Sequence, residues 1–181
     1  MSIIVFDTET TSLLAPEIAG ADAQPHLVEF AGVKINHQLQ TIDQLNFMVK
    51  PRVPIPEDAT KVHGYTDETV KGMKPFAAHW RILADWFLGA THCVGHNLQY
   101  DKLVLSWELI RIGKQLNFPW PPGAICTVEE IQKLKGYRMS LSDLYVELMG
   151  ESFHNAHSAV ADVQATAKVF IKMVEKEMIK L

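Results

Sequence analysis

A chain of 181 residues with 48% hydrophobic content can close one substantial core, so residues 1–181 are expected to form a single domain. A net charge of −4 and an isoelectric point near 6.0 exclude a general basic coat for long duplex nucleic acid, yet leave room for a local site where bound cations offset acidic groups. No apolar run of about 18 residues and no basic leader ahead of an apolar segment is found, which points to a soluble, cytoplasmic protein with no membrane partner.

The first element is a strand over Ser2–Phe6, a short β-branched and aromatic run. It leads into Asp7-Thr8-Glu9-Thr10-Thr11. Side chains alternate faces along a strand, so Asp7 and Glu9 point one way and Thr8 the other. Adjacent carboxylates resist ionising together, and a divalent cation relieves them. The same pair also fits a solvated strand end. Leu14–His26, with two prolines and small residues, reads as a loop. Leu27–Asn36 and Thr41–Lys50 suggest a hairpin pairing with the first strand, and Pro51–Pro56 an extended connector that cannot be helical.

Beyond the connector, Gly64 permits a tight turn after His63. Thr66 can cap a short helix with Asp67 and Glu68 in its first turn, but Thr69 stands where a reciprocal capping box needs Glu or Gln, so no box is expected. By chemistry alone His63 has no assignable role. Phe76, Trp80, Leu83 and Phe87 are spaced as one face of a helix ended by Gly89. A strand follows at Thr91–Gly95 and a helix at Leu98–Ile112, with Asp101 in its first turn, where the helix dipole favours an anion. Asn117–Gly123 is a loop, Ala124–Thr127 a strand, and Val128–Leu134 and Leu141–Met149 are helices. Cys93 and Cys126 lie in apolar surroundings and read as buried thiols.

The last helix runs from about Ser158 to Ile179, with Val163, Ala167, Phe170 and Val174 as its inner stripe. His157 falls at or just before its start and Asp162 one turn in. That offset suits a histidine held by a loop and a carboxylate held by a helix, or a capped helix start with surface imidazoles. A hairpin followed by alternating helices and strands indicates an α/β domain, a mixed sheet covered by helices.

In their order and context these segments resemble the DEDDh branch of the DnaQ-like 3′→5′ exonucleases. The residues that carry the resemblance are Phe6-Asp7-Thr8-Glu9-Thr10-Thr11-Ser12-Leu13, then His63-Gly64, His96-Asn97 with Asp101, and His157 with Asp162. Ser12 replaces the usual glycine and Tyr65 a usual aliphatic residue; His154 lacks the spacing to Asp162 that His157 has.

The resemblance implies a ribonuclease-H-like fold and stepwise release of nucleoside 5′-monophosphates from a 3′ end. It implies that Asp7, Glu9, Asp101 and Asp162 hold two Mg²⁺ or Mn²⁺ ions, with Asp7 bridging both. Hard oxygen ligands suit such ions, and a pair of them stabilises both oxygens of an in-line displacement. His157 is implied as general base, so activity should fall in acid as its imidazole protonates. Thr10, Thr11 and Leu13 are implied to meet the terminal nucleotide, with His63 and Asn97 lining the groove. Thr8 and His63-Gly64 look like those of proofreading and DNA-degrading members. Single-stranded or frayed DNA is therefore the favoured substrate, with a DNA polymerase as a candidate partner. Trimming of RNA is the alternative activity, and a non-catalytic module for strand ends or a polymerase is the alternative class.

Overall fold

The computed structural model describes residues 2–153 and 158–181. Strand β1 (Ser2–Thr10) is followed by β2 (Leu27–Asn36) and β3 (Thr41–Met48), which pair antiparallel in sequence. Helices α1 (Glu57–His63), α2 (Asp67–Val70) and α3 (Trp80–Phe87) lead to β4 (Ala90–Gly95), then α4 (Leu98–Arg111) and β5 (Gly123–Cys126). Helices α5 (Thr127–Lys135), α6 (Leu141–Met149) and α7 (Ala159–Glu175) complete the described chain. The sheet runs β3-β2-β1-β4-β5, with β1 antiparallel to β2 and parallel to β4, so it is mixed as expected.

The alternation of β1 divides the core in two. Ile4 and Phe6 pack on one face with Leu83 and Phe87 of α3 and Leu105 and Leu109 of α4. Ile3 and Val5 pack on the other with Leu144 of α6 and Val163 and Phe170 of α7. The sheet is thus a middle layer between two sets of helices, and β1 is its central strand. Gly32 of β2 allows close approach on the first face, since a Cβ there would lie 2.6 Å from the Trp86 ring. A small third cluster, Val28 with Ile55 and Val70, seats α2 and the proline connector against β2.

Three local expectations need correction. Phe76 is not part of α3: Phe76–Ala78 form a separate 3₁₀ turn, closed by Ala78 N–H to Pro75 O at 2.9 Å and His79 N–H to Phe76 O at 2.8 Å. Phe76, Leu83 and Phe87 are buried all the same, so the apolar spacing marks the core without marking the break. The Thr66–Thr69 box does form, because each threonine hydroxyl accepts from the other residue's backbone amide, Thr69 N–H to Thr66 Oγ1 at 3.3 Å and Thr66 N–H to Thr69 Oγ1 at 3.2 Å. Helix α7 stops at Glu175, where Glu177 takes φ 56° and Met178 N–H bonds to Met173 O at 2.8 Å, turning Ile179 back into the core. Within Leu14–His26 two 3₁₀ turns, Glu17–Ala19 and Ala21–Ala23, order the loop. Both cysteines are buried free thiols, and no helix among the described residues is long and apolar enough to cross a membrane.

Candidate active site

Strand β1 continues beyond the core as Asp7-Thr8-Glu9-Thr10, and its parity assigns these side chains to different helices. Asp7 and Glu9 extend the face of Ile3 and Val5 toward α7, where Asp162 sits in the first turn. One carboxylate oxygen from each of Asp7, Glu9 and Asp162 lies within 4.8 Å of the other two. Thr8 extends the opposite face toward α4. Its backbone N–H and hydroxyl both donate to Asp101 Oδ1, at 3.1 and 2.7 Å. Asp101 is therefore beside the cluster rather than in it, with one oxygen engaged and only 3% of the residue exposed.

These acids are held in an unfavourable state for ionisation. Burial raises the Asp7 carboxyl well above its ordinary range, and the charges of Asp101, Glu9, Asp162 and Glu29 raise it further. Burial, then Asp162, Glu29 and Asp101, push Glu9 up to about 8. Burial lifts Asp101 to about 7 against the lowering effect of its Thr8 hydrogen bonds. Among the described residues no lysine or arginine forms an ion pair with Asp7, Glu9 or Asp101. A converging, all-oxygen, anionic donor set of this kind fits a hard divalent cation.

A cleft of about 440 Å³ opens next to the acids, lined by residues 8–13, by Asp58, Ala59, Val62 and His63 of α1, and by Asn97 and Tyr100. It brings together Thr10, Thr11, Leu13, His63 and Asn97, drawn from three parts of the sequence. Leu13 is 83% exposed. The turn that presents it is tied down on both sides. Thr11 N–H donates to His26 O at 3.0 Å, and Tyr100 OH donates to Ser12 O at 2.8 Å beside the Thr10 hydroxyl. Tyr65 N–H donates to His63 Nδ1 at 3.0 Å, leaving Nε2 to donate to Thr10 O at 3.2 Å. Burial lowers the His63 pKa, in keeping with a neutral ring. Asn97 precedes α4 with φ 74° and ψ 40°, a left-handed conformation that asparagine tolerates.

His96 is not a group of this cleft. Its ring bridges Thr127 Oγ1 at 2.9 Å and Met139 O at 3.2 Å, and burial lowers its pKa to about 4. His157 and the competing His154 lie outside the described residues. Two residues to which the sequence assigns no role lie at the site, Tyr100 on the cleft and Glu29 across the sheet from Glu9. Tyr100 had a weak signal, an aromatic one residue before Asp101. Glu29 had a stronger one, a charge within the apolar run Leu27-Val28-Glu29-Phe30-Ala31.

The profile of the RNase_T exonuclease family matches residues 4–170. DNA polymerase III subunit epsilon of Pasteurella multocida (strain Pm70) is 30% identical over 177 residues, which cover 94% of this chain and 67% of that protein. The PolC-type DNA polymerase III of Caldanaerobacter subterraneus subsp. tengcongensis is 27% identical over 173 residues, 96% of this chain but 12% of its own length. The chain thus spans from about two thirds to about an eighth of these relatives. Among solved structures, Exonuclease X in complex with 5′ overhanging duplex DNA superposes with a TM-score of 0.68 at 24% identity, covering 98% of this chain and 94% of that one. The nuclease domain of 3′hExo, a DEDDh family member bound to rAMP, gives 0.76 at 17% identity, with coverages of 97% and 92%. These two likenesses identify the fold as ribonuclease-H-like.

Proposed function

The chain belongs to the RNase_T exonuclease family, a group of DnaQ-like 3′→5′ exonucleases, and on that premise we propose that it removes nucleoside 5′-monophosphates from the 3′ end of single-stranded or frayed DNA. The observation that carries the reading is the convergence of Asp7, Glu9 and Asp162 within 4.8 Å at the edge of a cleft that also holds Thr10, Thr11 and Leu13. Asp7, Glu9 and Asp162, with Asp101 beside them, would hold two divalent ions, Mg²⁺ or Mn²⁺. Such ions supply positive charge against the negative charge that grows on the phosphate and the leaving oxygen.

The remaining tasks fall to side chains and backbone. The turn carrying Leu13 offers an apolar wedge for the last base, and the backbone of Thr10 and Thr11 a polar edge for the terminal sugar. His63, neutral and hydrogen-bonded to Thr10 O, stiffens the wall of the cleft. His157 accepts the proton of the attacking water. Water adds to the terminal phosphorus, the bond from phosphorus to the 3′ oxygen of the preceding nucleotide breaks, and that oxygen takes up a proton as the new 3′ hydroxyl. The DNA preference and a DNA polymerase partner draw support from the polymerase III relatives and from the duplex-DNA complex of Exonuclease X.

The test uses 5′-labelled DNA, RNA and duplex with Mg²⁺, Mn²⁺ or EDTA, and Asp7→Ala and His157→Ala variants alongside the parent. A ladder shortening from the 3′ end of DNA, dependent on the cation and lost in both variants, is the expected result. Faster cutting of RNA overturns the substrate assignment, and no cation-dependent cutting of any strand overturns the activity.

A further inference from the structure

Glu29 is a carboxylate in an unfavourable place. It is 5% exposed and pairs across the sheet with Glu9. Directly paired residues share a face, so Glu29 lies on the α7 side, next to acids that repel it. Two donors offset that cost, and both reach the same oxygen. Tyr65 OH donates to Glu29 Oε2 at 2.9 Å, and Ala159 N–H donates to it at 2.9 Å. Ala159 is the first residue of α7, so its amide has no acceptor within the helix, and a carboxylate there is favoured by the helix dipole.

These contacts form one continuous chain. Thr10 O meets His63 Nε2, His63 Nδ1 accepts from Tyr65 N–H, Tyr65 OH meets Glu29, and Glu29 holds the start of α7. One turn on, Asp162 N–H donates to Ser158 O at 2.9 Å, so the placement of Asp162 follows that of Ser158 and Ala159. An aliphatic side chain at position 65 would supply no donor for Glu29.

We infer that Glu29 and Tyr65 are positioning residues, bracing the N-terminus of α7 against β2 and the wall of the cleft and thereby setting Asp162 against Asp7 and Glu9. Neither touches the substrate. The brace rests on the proposed reading of those three acids as cation ligands. Partners that orient a ligand without touching the ion typically change affinity or activity by about 10–100-fold when removed.

The test compares the parent with Tyr65→Phe, Glu29→Gln and Glu29→Ala. Mn²⁺ affinity is read by titration calorimetry, the Mn²⁺-induced rise in Tm by scanning calorimetry, and kcat and KM on single-stranded DNA. Tyr65→Phe removes one oxygen and no charge. It is expected to weaken Mn²⁺ binding by about tenfold and to lower kcat by a similar factor, with KM within about twofold of the parent. Glu29→Gln keeps an acceptor for Ala159 N–H and should lose less than Glu29→Ala. Should Tyr65→Phe not fold at the assay temperature, the order of the two Glu29 variants in Mn²⁺ affinity decides. A lower Tm with Mn²⁺ affinity and kcat unchanged in folded variants reduces the contacts to scaffolding and overturns the brace alone. A parent that neither binds Mn²⁺ nor cuts DNA overturns the proposed function, and the brace with it.

Discussion

Glu108 and Arg111, three residues apart on α4, form an ion pair at 2.7 Å whose side chains are 5% and 2% exposed. Glu108 also accepts from Leu27 N–H at 3.2 Å. Arg111 donates to the carbonyls of Ala21 and Gln24, each at 2.7 Å, and of Pro25 at 3.1 Å. One guanidinium thus staples the loop after Leu13 onto α4. Arg111→Met keeps much of the aliphatic stem but takes the guanidinium from the buried Glu108 carboxylate, leaving it Leu27 N–H and the His26 ring at 3.3 Å, and breaking one side of a buried pair costs about 3–5 kcal/mol. With the loop carbonyls losing a charged donor as well, a loss of about 4 kcal/mol is expected, equivalent to roughly 8–16 °C in Tm for a domain of this size. Adding Glu108→Gln removes the buried charge and retains an acceptor for Leu27 N–H, so the double variant should regain about 2 kcal/mol. Urea unfolding followed by tryptophan fluorescence and circular dichroism measures all four corners of this cycle. A loss below about 1 kcal/mol for Arg111→Met, or strict additivity in the double variant, refutes the reasoning.

Three further predictions concern the site and its surroundings. Mn²⁺ at about 100 times its Kd should add about 2.7 kcal/mol of stability, a rise of roughly 5–11 °C in Tm that EDTA or Asp7→Asn abolishes; an equal rise in Asp7→Asn would place the ion elsewhere. His96 should make the fold acid-sensitive. Its folded pKa of about 4 lies below the ordinary 6.5, so between those values the unfolded chain holds more protons and stability falls as pH falls. The loss reaches about 3 kcal/mol at most by pH 4, and urea titrations at pH 7, 6 and 5 should show His96→Gln with a flatter profile than the parent. Tyr100→Phe frees the carbonyl of Ser12 and loosens the turn carrying Leu13. Loss of about 1 kcal/mol of substrate-holding interaction should raise KM about fivefold with little change in kcat, and an unchanged KM would deny the turn a part in binding.

Much of the fold is legible because burial imposes periodicity. The run from Ile3 to Phe6, the hairpin after it and the stripe on α7 all announce which side faces a core. What escapes are features made by hydrogen bonds between close neighbours. The 3₁₀ turn at Phe76, the Thr66–Thr69 box and the reversal at Glu177 leave the apolar spacing intact, so the spacing carries no trace of them.

The site divides in the same way. By itself the sequence determined that Asp7 and Glu9 share a face and that Thr8 looks the other way, because a strand alternates whatever packs on it. It also determined that Asp101 and Asp162 sit in the first turns of helices. Only the tertiary structure decided which helix covers which face. Helix α7 lies over the Asp7 side, so Asp162 joins those acids, while α4 lies over the Thr8 side, so Asp101 is bound to Thr8. The tertiary structure alone also placed Glu29 opposite Glu9 and under the first amide of α7, at a sequence distance of 130 residues. Local alternation is a property of the backbone; the meeting of distant charges is a property of how two cores close on one sheet.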